Sequence, residues 1–389
     1  MTESSRIHYM DNIRALAMYL GVVFHAGIAY APEYQAVWFT AGNGTHPWFD
    51  WMASGTHLFR MPLFFLIAGF FAHLLIQKRG NNAYLKNRLL RLGVPFIVFW
   101  PLTVVSVVAA LFFITANANN QPPIAEFLQS GEAEGSELNT MHLWFIYYLL
   151  LFSLVTWILV KAFPSGLNWV SQRILKNNSY LLWSPLLILP ASVLIVSPFP
   201  APGNFLPSWW GCLFFGVPFY LGWLIFQHPE CLEQFKKVRI YVLGVTIPAF
   251  IVFVYLSEPI GSDMIMSLHA TIDLEHIIKA FLQSYLALYG SMLSLSYGKD
   301  WLSEQNSVMA YVSQSSYWVY IVHFPILLYV QVYTGNLGVH VNWQFLLSLT
   351  VTTLLSLLSY QILVRHTPIG WMLNGRKKKK PVQLAETAS

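Results

Sequence analysis

Long, nearly uncharged apolar runs dominate the chain, and short polar segments separate them. Ten runs have about 17–25 residues, the length that a helix needs to cross the hydrocarbon core of a bilayer. They cover residues 11–31, 56–77, 93–116, 141–160, 180–197, 210–227, 240–257, 276–297, 312–333 and 343–364. This pattern predicts an all-α polytopic membrane protein with about ten transmembrane helices.

Composition supports a membrane protein over a soluble domain. Hydrophobic residues make up 56% of the 389 residues and charged residues only 10%, whereas a soluble domain carries about 25% charge. We therefore interpret residues 1–373 as one transmembrane domain and residues 374–389 as a disordered tail that contains a basic run. The basic run is expected to contact anionic membrane lipids, and no nucleic-acid partner is expected.

The distribution of positive charge predicts the orientation. If the N-terminus is inside, all of the 22 Lys and Arg residues except Arg60 and Lys279 fall on the inner side of the predicted helices. Inner loops of membrane proteins carry this excess of positive charge. Both termini are therefore predicted to be cytoplasmic.

The first predicted helix carries three ionisable residues, Asp11, Arg14 and His25. Ionisable residues inside a membrane are costly and indicate a functional site. At about 100° and 1.5 Å per residue, Arg14 and His25 share one helix face about 16 Å apart, and Asp11 can pair with Arg14 one turn away. His25 suits a general base or an acyl acceptor; the plainer alternative is an interfacial ion pair and a packing histidine.

The second predicted helix carries His57 and, one turn later, Arg60, which lies at about the depth of His25. An arginine at this depth interrupts the charge bias of the chain. Either it reaches outward as an anchor, or it presents its guanidinium to a carboxylate or a developing oxyanion.

Three further places carry candidate chemistry. Arg88 and Arg91, three residues apart at a helix start, share a face and suit a polyphosphate, although inner-side charge alone explains each of them. His142 opens the fourth predicted helix, two residues before Trp144, at its outer end. His323 lies in the middle of the ninth, where the nearby Pro325 frees a backbone carbonyl.

Taken in order, five stretches resemble the acyltransferase family 3 of integral membrane proteins. They are Arg14…His25, RMPLFFLIAGFF, RLLRLGVPF, HLWFIYYLLLF and SQSSYWVYIVHFP. The resemblance extends from Ile7 to about Gly370. Within the family, the stretches around His57, His142 and His323 and the C-terminal RHTPIGWMLNG are closest to the glucans biosynthesis protein C group.

The resemblance implies a ten-helix fold that takes acyl-CoA from the cytoplasm and acylates an acceptor outside. It implies that His25 is the catalytic histidine and that the paired arginines lie near the cytoplasm. The site residues assigned from the sequence are catalytic His25, Arg14 and Asp11; acyl-CoA-binding Arg88, Arg91, Arg14 and His323; and substrate-binding Arg60, His57, His142 and Trp144.

The subgroup likeness favours an O-acyltransferase of the bacterial inner membrane. It would move a succinyl group from succinyl-CoA to a hydroxyl of a periplasmic glucan, with no metal and no cofactor besides the acyl-CoA donor. The sequence leaves open the donor, the acceptor, the oligomeric state and whether an acyl-histidine forms. The alternatives are an O-acetyltransferase of lipopolysaccharide or another surface glycan and, in a different class, a secondary transporter. A transporter predicts inverted repeats and broken helices in corresponding halves, and neither is visible in the sequence.

Overall fold

The computed structural model describes residues 5–122, 139–163, 180–257 and 272–375. These residues form helices and connecting turns, without a β-strand. The helices in chain order are α1 Ser5–Ile28, α2 Trp48–Arg79, α3 Asn81–Arg88, α4 Val94–Asn117, α5 Trp144–Ala162, α6 Tyr180–Val193, α7 Trp209–Gln227, α8 Glu230–Leu256, α9 Leu274–Trp301, α10 Ser307–Asn336, α11 Val341–Ser359 and α12 Pro368–Asn374. Two π turns, Leu89–Gly93 and Tyr360–Val364, join α3 to α4 and extend α11.

Each of the ten predicted apolar ranges overlaps a helix. Seven helical segments are long and apolar enough to cross a membrane: Trp48–Arg79, Asn81–Asn117, Met141–Ala162, Trp209–Gln227, Glu230–Leu256, Ser307–Asn336 and Val341–Val364. The helices α1, α6 and α9 are outside this set; α6 has only 14 residues, and α1 and α9 contain several charged residues. The all-helical class is confirmed, while the count of ten and the cytoplasmic termini stay predictions. The predicted basic tail lies beyond residue 375, outside the described residues.

The two ends of α1 mark two ends of the molecule. We call the end with Arg14, Arg88, Arg91 and Arg365 the basic end. We call the opposite end, which carries the segment 29–47 between α1 and α2, the loop end. Residues that the sequence assigns to the candidate site lie at both ends of the molecule.

The core is built around α1, α2 and α10. The helix α10 packs against α1, α4 and α11, and α2 packs against α1, α7 and α9. At Gly69, α2 lies so close to α7 that an added Cβ would be 1.8 Å from the Phe219 carbonyl oxygen; small residues permit such close helix packing in membranes. On α4, by contrast, Ile97 is 71% and Phe112 74% exposed, so this helix presents an apolar face that suits lipid.

Candidate active site

Four histidines and one arginine from four separate segments meet near the loop end. They are His25 on α1, His57 and Arg60 on α2, His142 in the turn Met141–Leu143, and His323 on α10. The ring centroids of His25 and His323 are 5.4 Å apart, and those of His142 and His323 are 5.6 Å apart. We call these five residues the histidine cluster. It unites residues that the sequence had assigned to the catalytic, acyl-CoA and substrate sets.

Pro325 contributes to the cluster through the backbone. A proline inside a helix has no N–H, so the carbonyl four residues earlier loses its helical partner. In α10 this carbonyl belongs to Ile321, and it accepts a hydrogen bond from His142 Nε2 at 3.1 Å. In return, the Tyr320 hydroxyl of α10 donates to the His142 carbonyl at 2.5 Å. The carbonyl that the sequence predicted to be free thus orients the His142 ring.

Backbone carbonyls fix the tautomers of three rings. His57 Nε2 lies 2.8 Å from the Phe199 carbonyl oxygen, and His323 Nδ1 lies 2.8 Å from that of Tyr320. Because a carbonyl only accepts, the nitrogen facing it carries the hydrogen when the ring is neutral. The second nitrogen of each ring then has a bare lone pair. These atoms, His57 Nδ1, His142 Nδ1 and His323 Nε2, are buried and find no partner in the described part of the chain.

Arg60 lies against the first helix. Its side chain is 6% exposed, and its Cζ lies 5.1 Å from the centre of the Phe24 ring. A Cβ added at Gly21 would come within 2.2 Å of Arg60 Nη1, so a larger residue there would displace the guanidinium. The Phe24 ring also stacks on His57 at 4.9 Å and meets the His25 ring at 5.0 Å. Arg60 and His25 are therefore neighbours through one aromatic side chain.

No acidic side chain among the described residues pairs with Arg60. Three carboxylates near the loop end have other partners. The Asp50 carboxylate accepts a hydrogen bond from the Glu33 N–H, Asp273 accepts one from the His276 N–H, and Glu275 pairs with Lys279. Arg60 is thus a buried cation without an anion, an arrangement that is costly unless a ligand supplies the missing charge.

Trp38, in the segment 29–47, covers His25. The two rings are nearly parallel with centroids 5.4 Å apart, and Trp38 is 3% exposed. Gln331 of α10 holds Trp38 in place: its Oε1 accepts from Trp38 Nε1 at 2.8 Å and from Thr40 Oγ1 at 2.7 Å, while its Nε2 donates to the Ala26 carbonyl. Sequence reasoning missed Gln331, although an amide two turns after His323 in an apolar helix was the available signal.

Trp144 does not join the histidine cluster. Its ring lies 5.1 Å from the Phe215 ring and 6.3 Å from the Phe65 ring, within the packing of α5 against α2 and α7. Its predicted role in substrate binding stays a prediction. Trp38 and Phe324 are among the aromatic residues that contact His25 instead.

At the basic end, the predicted pair of the first helix forms. Arg14 Nη2 lies 3.0 Å from Asp11 Oδ1, and the Arg14 guanidinium lies over the Phe71 ring. Since α1 is continuous from Ser5 to Ile28, the predicted rise of about 16 Å from Arg14 to His25 follows from helix geometry.

Arg88 and Arg91 contact different parts of the protein. Arg88 lies over the Tyr84 ring at 5.3 Å and is close enough to Arg14 for their charges to repel each other. Arg91 donates to the carbonyls of Trp371 and Met372 on α12 at 2.9 and 3.2 Å. Arg91 lies in a π turn, so the shared face expected of a regular α-helix does not describe this pair.

A cavity of about 830 Å³ opens at the basic end between α10, the end of α11 and α12. Gln314, Arg365 and Trp371 are among its lining residues. Gln314 lies nine residues before His323 on α10, which corresponds to a rise of about 14 Å. One helix, α10, thus carries residues of both the cavity and the histidine cluster.

The histidine cluster is not arranged as a metal centre. Within the described ranges, no group of three or more His, Cys, Asp or Glu side chains could hold a metal ion. The absence of a metal from the reaction stays a prediction.

Comparison with known proteins identifies relatives over nearly the whole chain. The sequence profile of the acyltransferase domain family 3 matches residues 7–361. The chain is 25% identical over 394 residues to the protein called glucans biosynthesis protein C from Salmonella paratyphi B, and 25% identical over 391 residues to that from Salmonella schwarzengrund. Each alignment covers 96% of this chain and 96% of the relative. No solved structure matches the chain.

Proposed function

Because the chain belongs to the acyltransferase domain family, we propose that it transfers a succinyl group from cytoplasmic succinyl-CoA to a hydroxyl of a periplasmic glucan. Membership in this membrane family and the apolar helices make it a multi-pass membrane acyltransferase. The proposal adds the donor, the acceptor and the bacterial inner membrane. The relatives whose names refer to glucan biosynthesis support the acceptor.

The observation that carries the succinyl donor is the unpaired Arg60 beside the histidine cluster. A succinyl thioester ends in a carboxylate, and a guanidinium binds a carboxylate through two parallel hydrogen bonds. This contact would give the buried cation its missing anion and hold the acyl group near His25. An acetyl group has no such charge and would leave Arg60 unpaired.

The bare ring nitrogens support a polyhydroxyl acceptor. His57, His142 and His323 each offer a buried lone pair that finds no donor within the described residues. Buried acceptors of this kind are costly until a donor reaches them. Sugar hydroxyls donate hydrogen bonds and accept them, so a glucan would satisfy these nitrogens. Trp38, which covers His25, adds a flat surface of the kind on which sugar rings pack.

The basic end suits the nucleotide part of the donor. Arg14 and Arg88 lie near each other, and the cavity beside α12 carries Arg365 and an aromatic residue, Trp371. Phosphates favour such guanidinium groups, while the uncharged arm of CoA can extend into the protein. The arm would follow α1 or α10 for about 14–16 Å to reach the histidine cluster.

The test uses the purified full-length protein in detergent with a glucan acceptor and either succinyl-CoA or acetyl-CoA. Release of free thiol and the mass of the glucan product are measured. We expect succinyl transfer with a higher kcat/KM than acetyl transfer. Equal use of both donors would remove the succinyl assignment and favour an acetyltransferase. No acceptor-dependent thiol release from either donor would contradict the acyl-CoA proposal.

A further inference from the structure

His25 and His323 are neighbours with different hydrogen bonding. His323 Nδ1 lies within 2.9 Å of the carbonyl oxygens of both Val319 and Tyr320, so its hydrogen is fixed there and Nε2 is bare. His25 forms no hydrogen bond with any described residue, and its Nδ1 is buried without a partner. Aromatic rings, including Trp38 and Phe324, surround it instead.

This difference suits two separate tasks. A ring whose N–H is held by carbonyl oxygens is oriented, and the same dipoles stabilise it after it accepts a proton at its other nitrogen. His323 has these features of a general base. His25 has no hydrogen-bond partner among the described residues that would stabilise its protonated form, but its lone pair is free, as a nucleophile requires.

We propose that His25 accepts the acyl group and that His323 Nε2 is the general base for the incoming hydroxyl. This division of labour rests on the proposed acyl-CoA-dependent function. The ring centroids lie 5.4 Å apart and no hydrogen bond joins the two rings, so the bare His323 Nε2 belongs to a ring beside His25 and is not occupied by it. Of the other two histidines, His142 has ring contact with His323, and His57 has ring contact with Phe24. His323 is therefore the histidine in ring contact with His25.

The two steps balance without a further reagent. In the first, a ring nitrogen of His25 bonds to the thioester carbonyl carbon, the carbon–sulfur bond breaks, and the proton from the other ring nitrogen goes to the thiolate. In the second, the acceptor oxygen bonds to the same carbon and the acyl–nitrogen bond breaks. The hydroxyl proton passes to His323 Nε2 and then to His25. Both rings return to the neutral form, and the products are an ester and a free thiol.

The test compares His323→Gln with the wild type and with His228→Gln, a change at a turn of the basic end where His228 contacts Glu230. Each protein receives isotope-labelled succinyl-CoA without acceptor, and the peptide containing His25 is analysed by mass spectrometry. Glucan or hydroxylamine is then added. Hydroxylamine is a strong nucleophile that needs no general base.

We expect His323→Gln to form labelled His25 and to retain it. Its transfer to glucan should fall about 10²- to 10⁴-fold, the usual contribution of a general base, while hydroxylamine should remove the label at the wild-type rate. Transfer to glucan at the wild-type rate would overturn the inference. So would wild-type transfer without labelled His25. A wild type that neither becomes labelled nor transfers would instead contradict the proposed function.

A second variant separates chemistry from folding. In His323→Asn, the side-chain amide can still donate to the Tyr320 carbonyl, but no base stands at the position of Nε2. If His323 is the base, the Asn variant should transfer the acyl group to glucan as slowly as the Gln variant does. Both variants should lose the label to hydroxylamine at the same rate. If Asn restores glucan transfer, the role of His323 is structural and the inference fails.

Discussion

The two ends of the molecule differ in whether their ionisable residues have partners. At the basic end, charges meet partners at the surface: Asp11 pairs with Arg14, and Asp300 pairs with both Lys236 and Arg239 at 2.7 Å. At the loop end, the buried Arg60 has no described anion, and the nitrogens of the histidine cluster are left with bare lone pairs.

The difference shows what each end can contribute. Exposed ion pairs are worth about 0–1 kcal/mol because water and salt screen them, so the basic end can exchange partners and bind a charged ligand at low cost. In a dry site the same groups interact far more strongly, and an unmatched one is costly. The histidine cluster thus lacks an anion and hydrogen-bond donors, which the proposed succinyl group and glucan would supply.

The largest effect should come from His25, since the loop end is the proposed site of chemistry. His25→Ala should lower acyl transfer about 10²- to 10⁴-fold without changing membrane insertion. Thiol release and the amount of protein in the membrane fraction measure the two quantities. His228→Ala is the matched control and should keep its activity. Near-normal turnover of His25→Ala would show that the reaction does not take place at the loop end.

Arg60 should have the next largest effect, because a buried contact is lost. Lysine keeps the positive charge of Arg60 but cannot form two parallel hydrogen bonds to a carboxylate. Arg60→Lys should therefore reduce succinyl transfer by about 1.5–3 kcal/mol, or roughly 10- to 150-fold, and acetyl transfer far less. The measurement is the ratio of the kcat/KM values for the two donors. Lys279→Met, which removes a loop-end cation paired with Glu275, should leave this ratio unchanged. An unchanged ratio in Arg60→Lys would indicate an oxyanion or structural role.

At the basic end the expected effect is smaller. Changing Arg88 and Arg91 together to Ala removes two partly screened contacts to phosphate, each worth about 0–1 kcal/mol, so KM for the acyl-CoA donor should rise at most about 30-fold. A short acyl-pantetheine donor without the nucleotide should be used as before. Lys161→Ala, another change at this end, should alter neither donor. Equal losses on both donors would show that the arginines support the fold, as the contact of Arg91 with α12 permits.

The sequence predicted the helices better than the contacts between them. The lengths of the apolar runs located long helices, and the register of Arg14 and His25 held because α1 is continuous. The π turn that contains Arg91 was not predicted, because it depends on packing rather than on local pattern. The cover that Trp38 forms over His25 depends on Gln331, some 300 residues away in the chain, and periodicity carries no information about such a contact.

The smallest expected effect concerns Glu33, a loop-end carboxyl beside the site. Burial, and secondly the nearby Asp50 carboxylate, raise the pKa of Glu33 from 4.5 to about 7. The folded protein therefore binds more protons than the unfolded chain between these two values, and stability should fall as pH rises through this window. Glu33→Gln removes this pH dependence. Between pH 5 and 7.5 the Tm of the variant should therefore decline by about 1–3 °C less than that of the wild type. Thermal unfolding in detergent measures the difference, with the exposed basic-end residue change Glu230→Gln as control. If Glu33→Gln and the wild type differ by the same Tm at every pH, Glu33 keeps its ordinary pKa and the loop end is wetter than its packing indicates.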